Sequence, residues 1–277
     1  MGYIKQIIKK LVNQFGYEFI RTESLKYLKL EKEDFANAAK RLAFMLQHHQ
    51  SNQDPKFGNF FAFDPQKFCK SKAQLFQDIF VLYVLKNKRN GFFVEFGATD
   101  GKNLSNTWML EKFYSWKGIL AEPAKIWHPA LINNRDCTID KRCVWKTSGE
   151  KLSFVQAEVP ELSTLLGFSE SDYHAKERQK NDSYLVETIS LKDLLKYHNA
   201  PKEIDYLSID TEGSEYIILE NFDFSKYTFR VITVEHNYAP QRSQIKTLLE
   251  ENGYYSVFQS VSFFDDWYVH KQFLDSK

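Results

Sequence analysis

From residue 71 onward the chain alternates between two hydrophobic periods. Short apolar runs bounded by glycine, proline and acidic residues predict buried strands over 92–96, 118–121, 137–139, 185–188, 204–209 and 230–235. Between them, apolar positions that recur every three or four residues predict helices over 103–114, 191–197, 214–219 and 241–251. Ser71-x-x-Gln74 reads as a capping box ahead of the stripe Leu75, Ile79, Leu82 and Leu85. Pro123 suits the first turn of a further helix. Residues 152–155 read as a strand paired with a neighbour, and 254–258 with 267–270 as a closing antiparallel pair. Strands alternating with helices give βαβ units, hence an α/β fold built on a parallel sheet with right-handed crossovers.

The first 70 residues follow another pattern. Ile4, Ile7, Ile8, Leu11, Val12 and Phe15 form one helical stripe, and Phe35, Ala38, Ala39, Leu42 and Leu46 a second. We therefore expect an N-terminal helical extension over 1–70 and one enzyme-sized domain over 71–277. Lys5, Lys9 and Lys10 flank the first stripe, so residues 1–20 are candidates for docking on the domain, for a homodimer contact, or for weak association with an anionic membrane face. Residues 157–183 are polar and aperiodic, the pattern of an active-site lid. Tyr173, His174 and Arg178 are its candidate substrate contacts, and its cations suit the pyrophosphate of a nucleotide-linked sugar.

Composition narrows the classes. The 277 residues are 43% hydrophobic, ample for one large core, and 37 basic against 36 acidic residues leave no global field to attract nucleic acid. No apolar run approaches the roughly 20 residues that span a bilayer. Lys5, Lys9 and Lys10 interrupt what would be a signal peptide's apolar centre. Cys69, Cys137 and Cys143 are odd in number and lack metal spacing. Together these predict reduced thiols and a cytoplasmic enzyme, peripheral to the inner membrane face if the first helix binds there.

The candidate chemistry sits at strand ends. Glu95-x-Gly97-x-x-Asp100-Gly101 closes the strand over 92–96. A dinucleotide fingerprint would hold a pyrophosphate on bare amides there, whereas Glu95 and Asp100 repel phosphate. A ligand with a positive centre and ribose hydroxyls fits better, and S-adenosylmethionine is one. Glu122, ending the next strand, is placed to accept both ribose hydroxyls. Asp210, Glu212 and Glu215 crowd another strand exit, which calls for a nearby cation or for one acid that titrates high. Glu215 also suits a helix N-terminus. Glu235-His236-Asn237 ends the following strand. Asp210, Glu212, Glu235 and His236 are the candidate catalytic residues, with Asn237 a candidate substrate contact. Asp210, Glu235 and His236 are also candidate ligands for a divalent cation such as Mg2+ or Mn2+.

These segments resemble the FkbM family of S-adenosylmethionine-dependent methyltransferases. The resemblance rests on Gln74-x-x-Gln77-Asp78, on Gly91 to Gly101, on Asn103-x-Ser105-Asn106-Thr107, on Trp116-x-Gly118-x-Leu120-x-Glu122-Pro123, and on Ile204 through Glu215, in order over about 71–255. It implies a class I, Rossmann-like, doubly wound fold with a mostly parallel seven-stranded sheet, and methyl transfer to the oxygen of a sugar or related natural-product hydroxyl. It places Glu95, Gly97, Asp100 and Gly101 around the methionine moiety, Glu122 on the ribose, Gln77 and Asn106 on the cofactor, and Asp210 near the sulfonium. Two rival classes remain: an NAD(P)-binding oxidoreductase, disfavoured by the missing third glycine, and a catalytically silent methyltransferase-like adaptor.

Overall fold

The computed structural model describes residues 32–48, 60, 65–157, 160, 163–165 and 182–274. The stripe over residues 4–15 and the contacts expected of Tyr173, His174 and Arg178 lie outside the described residues. In chain order the first elements are α1 (Lys32–His48), α2 (Pro65–Lys70), α3 (Gln77–Val84), β1 (Phe92–Phe96), α4 (Trp108–Tyr114), β2 (Lys117–Ala121), α5 (His128–Asn134) and β3 (Thr138–Asp140). Then come β4 (Cys143–Trp145), β5 (Lys151–Gln156), β6 (Thr164–Leu165), β7 (Asp182–Ser190), α6 (Leu191–Tyr197), β8 (Glu203–Ile209) and α7 (Glu215–Glu220). The chain continues through β9 (Thr228–Glu235), α8 (Arg242–Glu251), β10 (Tyr254–Val257), α9 (Gln259–Ser262), β11 (Asp265–His270) and α10 (Lys271–Leu274).

Seven strands form one mixed sheet in the order β10-β11-β9-β8-β1-β2-β3. β1 pairs in parallel with β2 and with β8, and only β11 runs antiparallel, to β9 on one side and β10 on the other. The strands are near-continuous apolar runs because helices cover both faces. Alternation along β1 sends Phe93 into one core with Phe76, Phe80 and Trp267, and Val94 and Phe96 into the other with Leu207, Ile232 and Leu249. From β1 the chain winds outward through β2 and β3, then returns to β8 on the other side. That reversal leaves a crevice beyond the carboxyl ends of β1 and β8. Register makes the rim flush, with Phe96 opposite both Ala121 and Ile209.

Several expectations shift. The strand predicted over 185–188 runs Asp182–Ser190 and belongs to a second sheet, β4-β7-β5-β6, not to the doubly wound set. It has a core of its own, in which Phe154, Leu165 and Val186 meet Trp145 and Ala124. The capping box at Ser71 does not form. Its hydroxyl donates instead to Asp78 at 2.7 Å, and α3 starts only after Phe76, in the left-handed region at φ 63°. The helix expected from 103 begins at Trp108, because residues 103–107 are drawn into a loop. Pro123 lies before α5 rather than within its first turn. In α1, Met45 is buried in the first core, the Phe44 ring lies 4.8 Å from that of Phe263, and Arg41 donates to the carbonyls of Ser71 and Ala73. No helix among the described residues is long and apolar enough to cross a membrane.

Candidate active site

A cavity of about 480 Å3 opens at this crevice. β1 contributes Phe96 and the following Gly97, β2 the following Glu122, β8 the following Asp210 to Glu212, and β9 Glu235 and the following Asn237. The opposite wall is Trp127, Cys143, Val144, Phe154 and Leu165, drawn from the loop before α5 and from the second sheet. Burial pushes the Cys143 thiol up to about 12, so it stays neutral. Thr164 Oγ1 of β6 donates to the Glu212 carbonyl at 2.9 Å, which ties the second sheet to the acidic turn.

Gly97 has φ 72°, and a Cβ there would stand 1.9 Å from the Asp210 carbonyl oxygen. Only glycine lets β1 and β8 close to this distance at the rim. Glu122 is buried. Its two oxygens accept from the amides of Thr99 at 2.8 Å and Ala124 at 2.7 Å. Burial pushes its carboxyl up to about 7 against those two donors. Each carboxylate oxygen has lone pairs beyond the one these amides use, and the group faces the cavity.

Asp210, Glu212 and Glu235 each offer a carboxylate oxygen within 4.8 Å of the others. Burial raises Asp210 to about 6, while a hydrogen bond with Glu235 pulls it down. Glu235 is pushed well up by burial and then by the charge of Asp210. Glu235 feels the charge of Asp210 and the two share a hydrogen bond, so they titrate as a linked pair. No lysine, arginine or histidine is found among the described residues that line the cavity. Crowded, desolvated carboxyls suit a cationic guest and disfavour a phosphate.

The other predicted residues fall elsewhere. Glu95 does not line the cavity. Its carboxylate accepts from the Asn106 amide at 2.7 Å and from the hydroxyls of Ser105 and Thr107, and it lies 3.6 Å from Arg135. Asp100 folds onto its own turn, accepting from Lys102 N and Asn103 N. Gly101 packs against Leu131 and Arg135. Asn106 donates to Ser208 Oγ at 2.9 Å, and Gln77 donates to Asp265 at 2.8 Å while accepting from Leu75 N. Gln74, not Gln77, reaches the cavity wall.

The cation set expected of Asp210, Glu235 and His236 is not brought together, since Glu212 takes the place of His236. Neighbouring side chains leave extended backbone on opposite sides, and His236 turns from Glu235 toward Asp266. Its Nδ1 accepts from Tyr238 N at 3.0 Å, and burial pushes it down to about 4, so it is neutral at pH 7. Glu215 is a helix N-terminal acid, accepting from Thr211 N and Gly213 N. The sequence reading missed Thr99, Trp127, Phe154 and Leu165, whose roles arise only from the second sheet and the loop closing on Glu122.

These acids set a pH dependence. Glu122 and Asp78 are raised to about 7 and Asp265 to about 8, so above pH 6.5 the folded chain holds protons that the unfolded chain has already released. Stability then falls as pH rises from about 6.5 to about 8.5. Below 6.5 the buried His236, held neutral, pulls the other way. Thermal melts of the ligand-free protein should show a lower midpoint at the upper end of that window. A rising midpoint would contradict the burial of these carboxyls.

No curated protein matches the chain. Among solved structures, the precorrin-6y C5,15-methyltransferase of Geobacter metallireducens GS-15 is similar at 11% identity over 65% of this chain and 71% of that one, with a TM-score of 0.34. The sequence profile described as the methyltransferase FkbM domain matches residues 95–256, which span β1 through β10 and every strand end that faces the cavity. That match covers more than half of the 277 residues, and the chain belongs to the FkbM methyltransferase family.

Proposed function

We propose that this protein transfers the methyl group of S-adenosylmethionine to a hydroxyl of a sugar or a nucleotide-linked sugar. The observation that carries the reading is the Asp210–Glu235 carboxyl pair in a cavity that Glu122 also lines. S-adenosylmethionine, when bound, supplies an electrophilic methyl on a sulfonium and departs as a neutral thioether. Glu122 suits the ribose hydroxyls, because its two amide donors fix the carboxylate while lone pairs remain. The acidic rim offsets a sulfonium in a crevice walled by Phe96, Trp127 and Phe154. Asp210 takes the acceptor's hydroxyl proton on a carboxylate oxygen as that hydroxyl oxygen is alkylated. A base near 6 is ionised at neutral pH yet basic enough to help.

A second reading keeps a divalent cation on Asp210, Glu212 and Glu235, an all-oxygen set that hard ions accept.

The test is mass spectrometry for a methyl-sized gain across a panel of sugars and nucleotide-linked sugars, with calorimetry against S-adenosylmethionine. Turnover that survives EDTA supports the metal-free carboxyl pair. Loss restored by Mg2+ or Mn2+ supports the cation. Donor binding with no product across the panel supports the silent adaptor, and absence of donor binding removes the methyltransferase reading.

A further inference from the structure

Glu95 and Arg135 lie far apart in the chain and meet beneath the loop that carries Gly97 and Thr99. The Arg135 side chain is fully buried, at 0% exposure, just past the end of α5. Its guanidinium donates to the Gly101 carbonyl at 3.1 Å, to Ser105 Oγ at 3.1 Å and to Thr107 Oγ1 at 2.9 Å. Its Nε donates to Glu111 at 2.9 Å, and Nη1 also approaches Glu95 at 3.6 Å. Two carboxylates therefore face one buried cation, and that planar fork holds the loop at Gly101, Ser105 and Thr107. A Cβ on Gly101 would lie 2.7 Å from Arg135 Cγ, so the loop rests directly on the arginine stem.

The other end of α5 serves the neighbouring loop. There His128 Nε2 lies 2.9 Å from the Glu122 carbonyl, whereas Asn134, beside Arg135, donates to the Asp100 carbonyl of the loop after β1 at 2.8 Å. A third tie, Thr99 N to Glu122 Oε2, joins the two loops directly. The helix is thus a strut between the loop after β1 and the loop after β2, the two that bring Gly97 and Glu122 to the cavity.

We infer that Arg135 is a positioning residue for donor binding, acting through the 97–107 loop without touching the ligand. The inference rests on the methyltransferase reading for the identity of the ligand. It also reassigns Glu95 from ligand contact to anchor of the same loop. Charge alone does not meet the requirement: a lysine has one point of attachment where the guanidinium spans Gly101, Ser105 and Thr107.

The experiment compares the full chain with Arg135→Lys and with the milder Asn134→Ala, each first checked by circular dichroism and thermal melting. Arg135→Lys is expected to raise Kd and KM for S-adenosylmethionine roughly ten- to a hundredfold through a displaced loop. Lost binding shared by ground and transition states leaves kcat and acceptor KM nearly unchanged. Asn134→Ala should shift donor Kd in the same direction by less. Hydrogen exchange should show lost protection confined to 97–107, with β1 and β8 still protected. Folded variants with donor Kd within twofold of the unaltered chain would overturn the inference, as would protection lost evenly across the domain. If the unaltered chain binds no donor, the methyltransferase reading fails, and the exchange data alone then decide whether Arg135 holds the loop.

Discussion

Asp210→Asn is expected to lower kcat by about 10²–10⁴-fold, the usual cost of losing a general base, while donor affinity changes little. The asparagine keeps the size of the side chain but cannot take a proton. The effect on kcat should exceed that of removing any other rim carboxyl, because Asp210 is raised only to about 6 where Glu235 is pushed well above its usual range. It is therefore the carboxyl that is ionised and ready at neutral pH. The rate profile should carry the same signature. In the unaltered protein kcat/KM rises with pH through about 6 and levels off. In Asp210→Asn that limb disappears, and Glu235, relieved of a neighbouring charge, titrates lower than before. Unchanged turnover combined with weakened donor binding would move Asp210 from base to ligand contact.

Gly97→Ala is expected to abolish measurable donor binding and to destabilise the fold. Two costs add. Left-handed backbone costs an L-residue about 1–2 kcal/mol. Forcing a methyl into a filled site costs about 1–3 kcal/mol more. The obstruction is the Asp210 carbonyl at 1.9 Å, which is backbone and cannot swing aside, so the ends of β1 and β8 must part. With each kcal/mol worth about 2–4 °C in a large domain, the midpoint should fall on the order of 10 °C. Gly149→Ala provides the control, since Gly149 shares the left-handed φ at 82° but has nothing within 4 Å of a Cβ. It should show only the dihedral cost and normal activity. Equal effects from the two substitutions would mean that the close approach at Gly97 does not matter.

The rim acids were legible because strand alternation forces a rule on them. When buried parallel strands end flush, the first polar residue after each lands in one crevice, so Glu122, Asp210 and Glu235 follow from apolar runs alone. Glu95 broke the pattern for a reason the local sequence does not carry. Its partners Ser105, Thr107 and Arg135 reach it only after the loop and α5 have folded back on β1. His236 was misplaced by adjacency, since neighbours in extended chain face opposite ways. The strands over 152–155 and 185–188 are legible in the sequence, and β5 does pair with β7, but nothing local tells that they form a second sheet rather than join the main one. β5 exposes Lys151 and β7 exposes Leu185 and Glu187, the half-exposed alternation of a sheet with one open face rather than the continuous apolar runs of the main sheet. Residues 103–107 leave the helix expected over 103–114 because Ser105, Asn106 and Thr107 satisfy the buried Glu95 carboxylate, which no periodicity reports.

The second sheet enters the chain as one contiguous stretch, residues 143–190, between two strands of the main sheet. It supplies Cys143, Val144, Phe154 and Leu165 to one side of the chamber yet leaves the strand order beneath it untouched. The contour of that wall can therefore change without disturbing the order of the main strands or the loops after β1 and β2. For an engineer it marks where to graft when a different guest is wanted.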